Sequence, residues 1–318
     1  MNRKNYYFAS ANSGDGFIGD LKHLAPQDWF MYIIKGGSGM GKSTMMKKIA
    51  SHFEKMGEDI EVYYCSTDPK SVDGIRLLDR KIAVVDGTMP HVVEPNILGV
   101  THKIVDVGQA LSNDVIQEKL NLENLVKSKK VYYQSAYNYL ASAKILDENI
   151  SNNFEINNIL IKQAKNLFSK IKPFLKPGTK QEVFLGCLND KEFSIETKNK
   201  FKVVSFLSDR YESSLVLKLL DEMLGKYQRK IVLDCLNPSI IKGIIIDNKI
   251  LIKSIDYKIK TNKKIEKNNK IIKKIKNFAK NDIKKAKELH CEIEKIYLNY
   301  VDFNVLSKLT EKVINEIE

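Results

Sequence analysis

At 318 residues, with 43% hydrophobic and 9% aromatic side chains, the chain can bury the cores of about two domains and is too apolar for wholesale disorder. No run approaches the roughly 18 apolar residues of a membrane span, and the opening MNRKNYYFASANSGDGF has no apolar signal core, so a cytoplasmic protein is expected. The net charge of +13 is uneven, +4 over residues 1–178 and +9 over 179–318, which points to a basic second half rather than a uniformly basic nucleic-acid-binding chain.

The first strong element is a strand at Trp29–Ile34, aromatic and β-branched as a buried strand should be. It runs into Gly36-Gly37-Ser38-Gly39-Met40-Gly41-Lys42-Ser43-Thr44, which contains the Walker A spacing of Gly, four residues, Gly-Lys-Ser. Behind it, Met46, Ile49, Ala50 and Phe53 recur at helical spacing. Strand, glycine-rich turn and helix is the order a phosphate-binding loop needs. Glycines let successive amides curl round a β-phosphate, and the helix adds its unpaired N–H groups and dipole. Lys42 is expected to reach the β- and γ-phosphates, Ser43 to complete a Mg²⁺ shell and Thr44 to contact the α-phosphate.

A second strand, DIEVYYC at 59–65, leads into STDPKSVDG, where Asp68 and Asp73 are candidates to orient substrate or water and equally good turn and capping residues. Arg76 and Arg80 fall in what reads as a short connection. The run Ile82–Val85 reads as a buried parallel strand that delivers Asp86 at its carboxyl end, as a Walker B carboxylate for Mg²⁺. His91, in GTMPHVVEP, is a candidate to sense the γ-phosphate or position a nucleophile. No Glu follows Asp86, so the usual water-activating carboxylate is missing from its place, and no NKxD guanine reader exists; ATP is favoured over GTP.

From about 112 to 171 the pattern is a long helical hairpin, and KPFLKPGTK then marks a linker through Pro173, Pro177 and Gly178. Beyond it the chain resembles itself. FLSDRYESSLVLKLL at 206–220 aligns with the phosphate-loop segment at an offset of 170, as do Cys235 and Cys65; Pro238 and Gly243 follow Pro69 and Gly74 at 169, and Lys249-Ile250 follow Lys81-Ile82 at 168. Earlier, FLGCLN follows YFASAN at 177; later, Phe303 follows Phe154 at 149. In that register Gly41 becomes Tyr211, Lys42 becomes Glu212 and Asp86 becomes Ser254, so the second copy should not hold a triphosphate. Should the halves face each other as a pseudo-dimer, Arg210 is placed to approach the first half's nucleotide.

The last stretch, about 258–318, reads as a second helical hairpin. Residues 249–287 hold 15 Lys against Asp256, Glu266 and Asp282, while Ile272, Ile275, Ala279, Ala286 and Leu289 form an apolar stripe. A solvated helix face is favoured over a nucleic-acid surface because Arg is nearly absent. Packing of both hairpins on their own sheets or on each other is favoured over an arm for a partner. Cys65, Cys187, Cys235 and Cys291 have no CxxC spacing, so free thiols are expected.

The segments YYFASANSGDGF, IIKGGSGMGKSTMMKKI, VYYCSTDPKSVDG and KIAVVDGTMPHVVEP resemble a bacterial family of tandem P-loop, ATPase-like proteins of nearly this length. The resemblance implies a duplicated α/β fold, each half a P-loop NTPase parallel sheet followed by a helical hairpin, with limits near 1–175 and 180–318. Members commonly carry a phosphate loop in both halves; this chain departs by losing the second. The expected function is Mg-dependent ATP binding with ATP hydrolysis at one site in the N-terminal half. The alternatives are a kinase passing the γ-phosphoryl to a small acceptor, with Arg76 and Arg80 holding acceptor or phosphate, and a non-catalytic nucleotide sensor.

Overall fold

The computed structural model describes residues 3–19, 21–256 and 263–318. In the first half, β1 (Lys4–Phe8) precedes a hairpin of β2 (Ser10–Ser13) and β3 (Gly16–Gly19). Then follow β4 (Phe30–Lys35), α1 (Lys42–Lys55), β5 (Ile60–Tyr64), β6 (Val72–Leu77), β7 (Ile82–Asp86) and β8 (His102–Asp106). Two long helices close the half, α2 (Lys119–Ser151) and α3 (Asn158–Ile171). The second half repeats the succession with β9 (Lys180–Val183), a hairpin of β10 (Gly186–Cys187) and β11 (Phe193–Ser194), β12 (Lys202–Ser208) and α4 (Arg210–Leu224). It continues through β13 (Arg229–Leu233), β14 (Ile241–Ile246), β15 (Ile250–Asp256), α5 (Lys263–Leu298) and α6 (Phe303–Ile317). The second hairpin was expected from about 258; residues 257–262 lie outside the described residues.

The first sheet runs β1-β5-β6-β7-β4-β8 and the second, from its far edge, β9-β13-β14-β15-β12. Strand for strand the directions agree, and β8 has no counterpart among the described residues of the second half. Neither sheet is wholly parallel. β6 is a six-residue, fully buried strand antiparallel to both neighbours, and β14 is antiparallel to its own. Arg76 therefore lies in a strand, not in a connection. The expectation failed because VDGIRL has too little alternation and an Asp-Gly pair that reads as a turn.

The two sheets pack face to face. Tyr7, Met31, Ile33, Tyr63 and Val85 of the first half share one buried cluster with Val183, Val232, Ile245 and Leu251 of the second. At their seam Phe8 and Phe184 exchange both backbone hydrogen bonds at 2.9 Å. Within this apolar layer lies a polar knot. Glu61, 0% exposed, accepts from Arg76 at 2.7 Å and Tyr63 at 2.7 Å in its own half, and from Asn248 at 2.6 Å across the seam. Lys230, also across the seam, approaches to 3.0 Å. Burial alone would raise the Glu61 carboxyl, but Lys230 and Arg76 reverse this and hold it at about 2.

The outer faces are covered by exchanged helices. α6, from the end of the chain, lays Leu306, Val313 and Ile317 onto the first sheet beside Met45, Met46, Ile49 and Phe53 of α1. α3, from the first half, lays Leu160, Ala164, Leu167 and Ile171 onto the second sheet beside Val216, Leu217, Leu220 and Leu224 of α4. α2 and α5 pack on each other, with Ala136, Leu140 and Ala143 against Ile272, Ala279 and Ile283. The alanines let the two backbones approach. Packing of the long helices on each other agrees with the expectation. The short helices do not fold back into hairpins beside their own sheets; each crosses to the other half.

The buried stripes of the two helices after β4 and β12 lie 171 positions apart, where the sequence alignment has an offset of 170. The buried residues of α1 (Met45, Met46, Ile49, Phe53) correspond to Val216, Leu217, Leu220 and Leu224 of α4, each pair 171 positions apart. Ser43 and Ser214 obey the same spacing, and both hydroxyls accept a backbone N–H at 2.9 Å, from Val72 and Ile241.

Candidate nucleotide site

β4 ends at Lys35 between β7 and β8, and six residues of loop separate it from α1. Gly41 is the N-cap of α1 at φ 79°, and no side chain caps that terminus. Gly39 has φ 75°, also in the left-handed region that only glycine enters cheaply. The first-turn amides of α1 therefore have no side-chain partner of their own, the condition under which a helix start attracts an anion. The second half differs at this point. A single residue, Asp209, separates β12 from α4, and its carboxylate accepts from the amides of Tyr211 and Glu212. No loop remains to curl round a phosphate there.

Lys42 donates to the carbonyls of Gly36 and Gly37, both at 2.7 Å, and its Nζ lies 3.6 Å from Oδ2 of Asp86. Asp86 arrives by register, since β7 pairs it with Ile34 at the end of β4. Its Oδ1 accepts the Thr88 N–H at 2.9 Å, and Thr88 Oγ1 donates to Gly36 O at 3.0 Å, tying the loop after β7 to the glycine loop. Burial raises the Asp86 carboxyl above its ordinary range, opposed by Lys42 and reinforced by Asp73. His91 Nε2 stands 3.0 Å from Asp73 Oδ2, with both side chains under a tenth exposed, and Phe17 meets its ring edge-on at 4.9 Å. Burial would lower the imidazole, but Asp73 and then Asp86 outweigh it and raise its pKa, favouring the cation.

Lys42, Ser43, Asp86 and His91 therefore gather at the carboxyl edge of one sheet, with Asp73 beside them. Ser38 and Thr44 border the same loop, Thr44 exposed to solvent. Met40 does not open to a ligand: its side chain is 2% exposed, and its sulfur accepts the Gly37 N–H at 3.0 Å. Asp68 pairs with Lys287 of α5 at 3.2 Å. Three residues singled out from the sequence lie elsewhere. Arg76 is buried against Glu61 and stacks on Trp29 at 4.0 Å; Arg80 holds Glu58 and the carbonyls of Ile317 and Glu318. Arg210 is locked to Asp147 of α2 at 2.6 Å and to Asp234 of its own half at 3.2 Å, and these carboxylates, not the first half's loop, hold its guanidinium.

The sequence reading missed the clamp and the cover. Lys35 donates to Gly87 O, Val93 O and Glu94 Oε1 at 2.8–3.0 Å, fixing the loop that carries His91; a lysine at a strand end gives no signal of this by itself. The cover is α5. A methyl group on Gly39 would fall 2.8 Å from the Glu294 carbonyl oxygen, and one on Gly37 3.4 Å from the Tyr297 ring. The second half thus touches the phosphate-loop motif of the first through a helix more than 240 residues away in sequence.

Among the described residues no three or more His, Cys, Asp or Glu side chains cluster as a self-sufficient metal site. The donors present suit a cation that draws most of its ligands from phosphate and water: a hydroxyl at Ser43 and a carboxylate at Asp86. No described helix is long and apolar enough to cross a membrane. Neither curated proteins nor solved structures yielded a match to the chain. A family model described as RNA helicase matches residues 32–137, from β4 through α1 and β5–β8 into α2, a third of the chain. Residues 32–137 are accordingly a P-loop NTPase-type domain.

Proposed function

We propose that the protein binds ATP with Mg²⁺ at the Gly36–Thr44 loop and hydrolyses it, with one functional site, and that the second half is a worn copy packed on the first as an internal pseudo-dimer in a cytoplasmic protein. The observation that carries the nucleotide reading is the convergence of Lys42 and Asp86, 3.6 Å apart, at the mouth of a glycine loop whose helix is uncapped. A triphosphate would replace the two loop carbonyls as the acceptors of Lys42 and would take up the free amides of α1. Ser43 and Asp86 would hold Mg²⁺, which supplies charge neutralisation on the β- and γ-phosphates. Water adds to the γ-phosphorus as the bond to the β-phosphate oxygen breaks, giving ADP and phosphate. His91, fixed by Asp73 and Lys35's clamp, orients the loop beside that reaction.

The worn-copy reading is supported by the common strand order, the constant 171-residue spacing of the helix stripes and the repeated serine-to-backbone bond. Hydrolysis is preferred over transfer to an acceptor because Arg76 and Arg80 are both engaged away from the loop. A sensor reading draws on the contact of α5 with Gly37 and Gly39, and tight Mg-ATP binding without turnover would select it. RNA unwinding, which the name of the matching family denotes, is not part of the proposal: α5 carries lysines with almost no arginine or aromatic readers.

The test is binding and product analysis with ATP and Mg²⁺ for the wild type and Lys42→Ala. Equal release of ADP and phosphate by the wild type and loss of both binding and turnover in the variant are expected. A wild-type chain that ignores adenine and guanine triphosphates alike in the presence of divalent metal overturns the reading.

A further inference from the structure

α2 and α5 run antiparallel, so that Tyr139 stacks on Phe278 at 5.4 Å while Lys129, nearer the start of α2, meets His290 towards the end of α5. One row of α2 faces the first half at four-residue spacing. Tyr137 donates to Asn12 Oδ1 at 3.1 Å, and Tyr133 donates to Thr67 Oγ1 at 3.3 Å in the loop after β5. Lys129, the next member, lies one turn further along, with Nζ 3.4 Å from His290 Nδ1. On α5 the same face continues into the glycine loop: His290 Nε2 is 3.5 Å from Glu294 Oε1, and the Glu294 main chain closes on Gly39.

Lys129 differs from the other cations of this neighbourhood. Lys42 has Asp86 and two carbonyls, Lys35 has Glu94, and Lys287 has Asp68. Among the described residues no carboxylate lies within ion-pair distance of Lys129. Its neighbour is an imidazole that burial, Lys129 and Lys42 push down to about 4, so His290 is neutral at pH 7. Burial also lowers the Lys129 ammonium, and Glu294 opposes this from a distance. A half-buried cation without a counterion is costly to keep, and the imidazole it meets is one turn of α5 from Glu294, whose main chain closes on Gly39 of the glycine loop.

We propose that Lys129 is a second phosphate-binding cation, which α2 delivers to the γ-phosphoryl group of a bound nucleoside triphosphate while His290 and Glu294 of α5 hold its ammonium in position. The inference rests on the nucleotide reading given above. What Lys129 recognises is the terminal phosphate and not the base or sugar. Charge shifts onto the bridging oxygen and is shared over the γ-oxygens as the P–O bond breaks, so a fixed ammonium at that place lowers the barrier as well as favouring triphosphate over diphosphate. The second half then serves the site although its own loop is lost, because α5 fixes where Lys129 points.

The experiment uses the full chain with Mg-ADP, Mg-ATP and a Mg-bound β,γ-imido analogue of ATP, comparing wild type, Lys129→Ala and Lys129→Arg by calorimetric titration and steady-state turnover. Lys129→Met keeps the stem and replaces the alanine variant should that one unfold. The neutral variant is expected to bind ADP within about twofold of wild type, to weaken the analogue about tenfold or more, and to cut kcat roughly 100-fold; Lys129→Arg recovers most of the analogue affinity. Equal loss of ADP and analogue affinity would reduce Lys129 to a structural part, and unchanged affinity and turnover would remove its role while leaving the nucleotide reading intact. A wild type that binds none of the three nucleotides ends both. A wild type that binds without turnover still decides the matter through the ratio of analogue to ADP affinity.

Discussion

Glu61→Gln is the sharpest probe of how the halves are joined. The amide keeps the shape and an acceptor, so Tyr63 retains a partner, but the charge that neutralises two buried cations is gone. Arg76, with its guanidinium 2.7 Å away and 7% exposed, and Lys230, 3.0 Å away and 6% exposed, are left facing each other across a dry seam. Removing one member of a buried ion pair typically costs about 3–5 kcal/mol, because the remaining charge is stranded. At about 2–4 °C per kcal/mol for domains of a couple of hundred residues, the melting midpoint should fall by roughly 6–20 °C. Urea unfolding followed by circular dichroism, with the midpoint compared at a common slope, measures the loss directly. Adding Lys230→Met to the variant should restore part of it by removing one stranded cation. A loss under about 1 kcal/mol, or a second substitution that merely adds its own cost, would show that water reaches the knot and that the seam is not sealed as described.

The same knot predicts a pH profile. Glu61, held at about 2 against an ordinary 4.5, binds fewer protons folded than unfolded, so its contribution is full above about 4.5 and is lost as pH falls towards 2; Glu61→Gln should flatten that limb of a stability–pH curve. Burial drives Lys230 down to about 8 from 10.5, which makes its own contribution rise between those two values, and Lys230→Met should remove that rise. Leu306→Ala on the exchanged α6, 7% exposed and seated beside Gly41, should cost about 2–5 kcal/mol, and hydrogen exchange should rise in α1, over 250 residues earlier; protection unchanged in α1 would refute the exchange of helices.

The elements of the candidate site are the ones whose signal is local. β4, the glycine loop, α1 and Asp86 at the end of β7 all stand where spacing and strand composition put them, since a buried strand, a positive-φ turn and an amphipathic helix each write their own pattern within about a dozen residues. β6 was hidden because an Asp-Gly pair inside a fully buried strand reads as a turn. The sequence alignment pairs Ser43 with Ser213, while the hydroxyl that accepts the equivalent backbone N–H is that of Ser214; two adjacent serines are indistinguishable until a backbone donor chooses between them. The helix exchange was not legible at all. α3 and α6 have apolar stripes that would suit either sheet, and nothing in an amphipathic pattern names the surface it will cover. For the same reason the helical patterns of α2 and α5 did not single out Lys129, His290 and Glu294, which the fold joins in a chain that ends at Gly39.

The crossed-over short helices impose an order on biosynthesis. Residues 303–317 leave the ribosome some 250 residues after the apolar side chains of α1 that they cover. A nascent chain that has finished its first sheet must wait, with that oily patch uncovered, until α6 has been made. Such a chain is a client for holdase chaperones and a poor candidate for being split into two independently expressed modules.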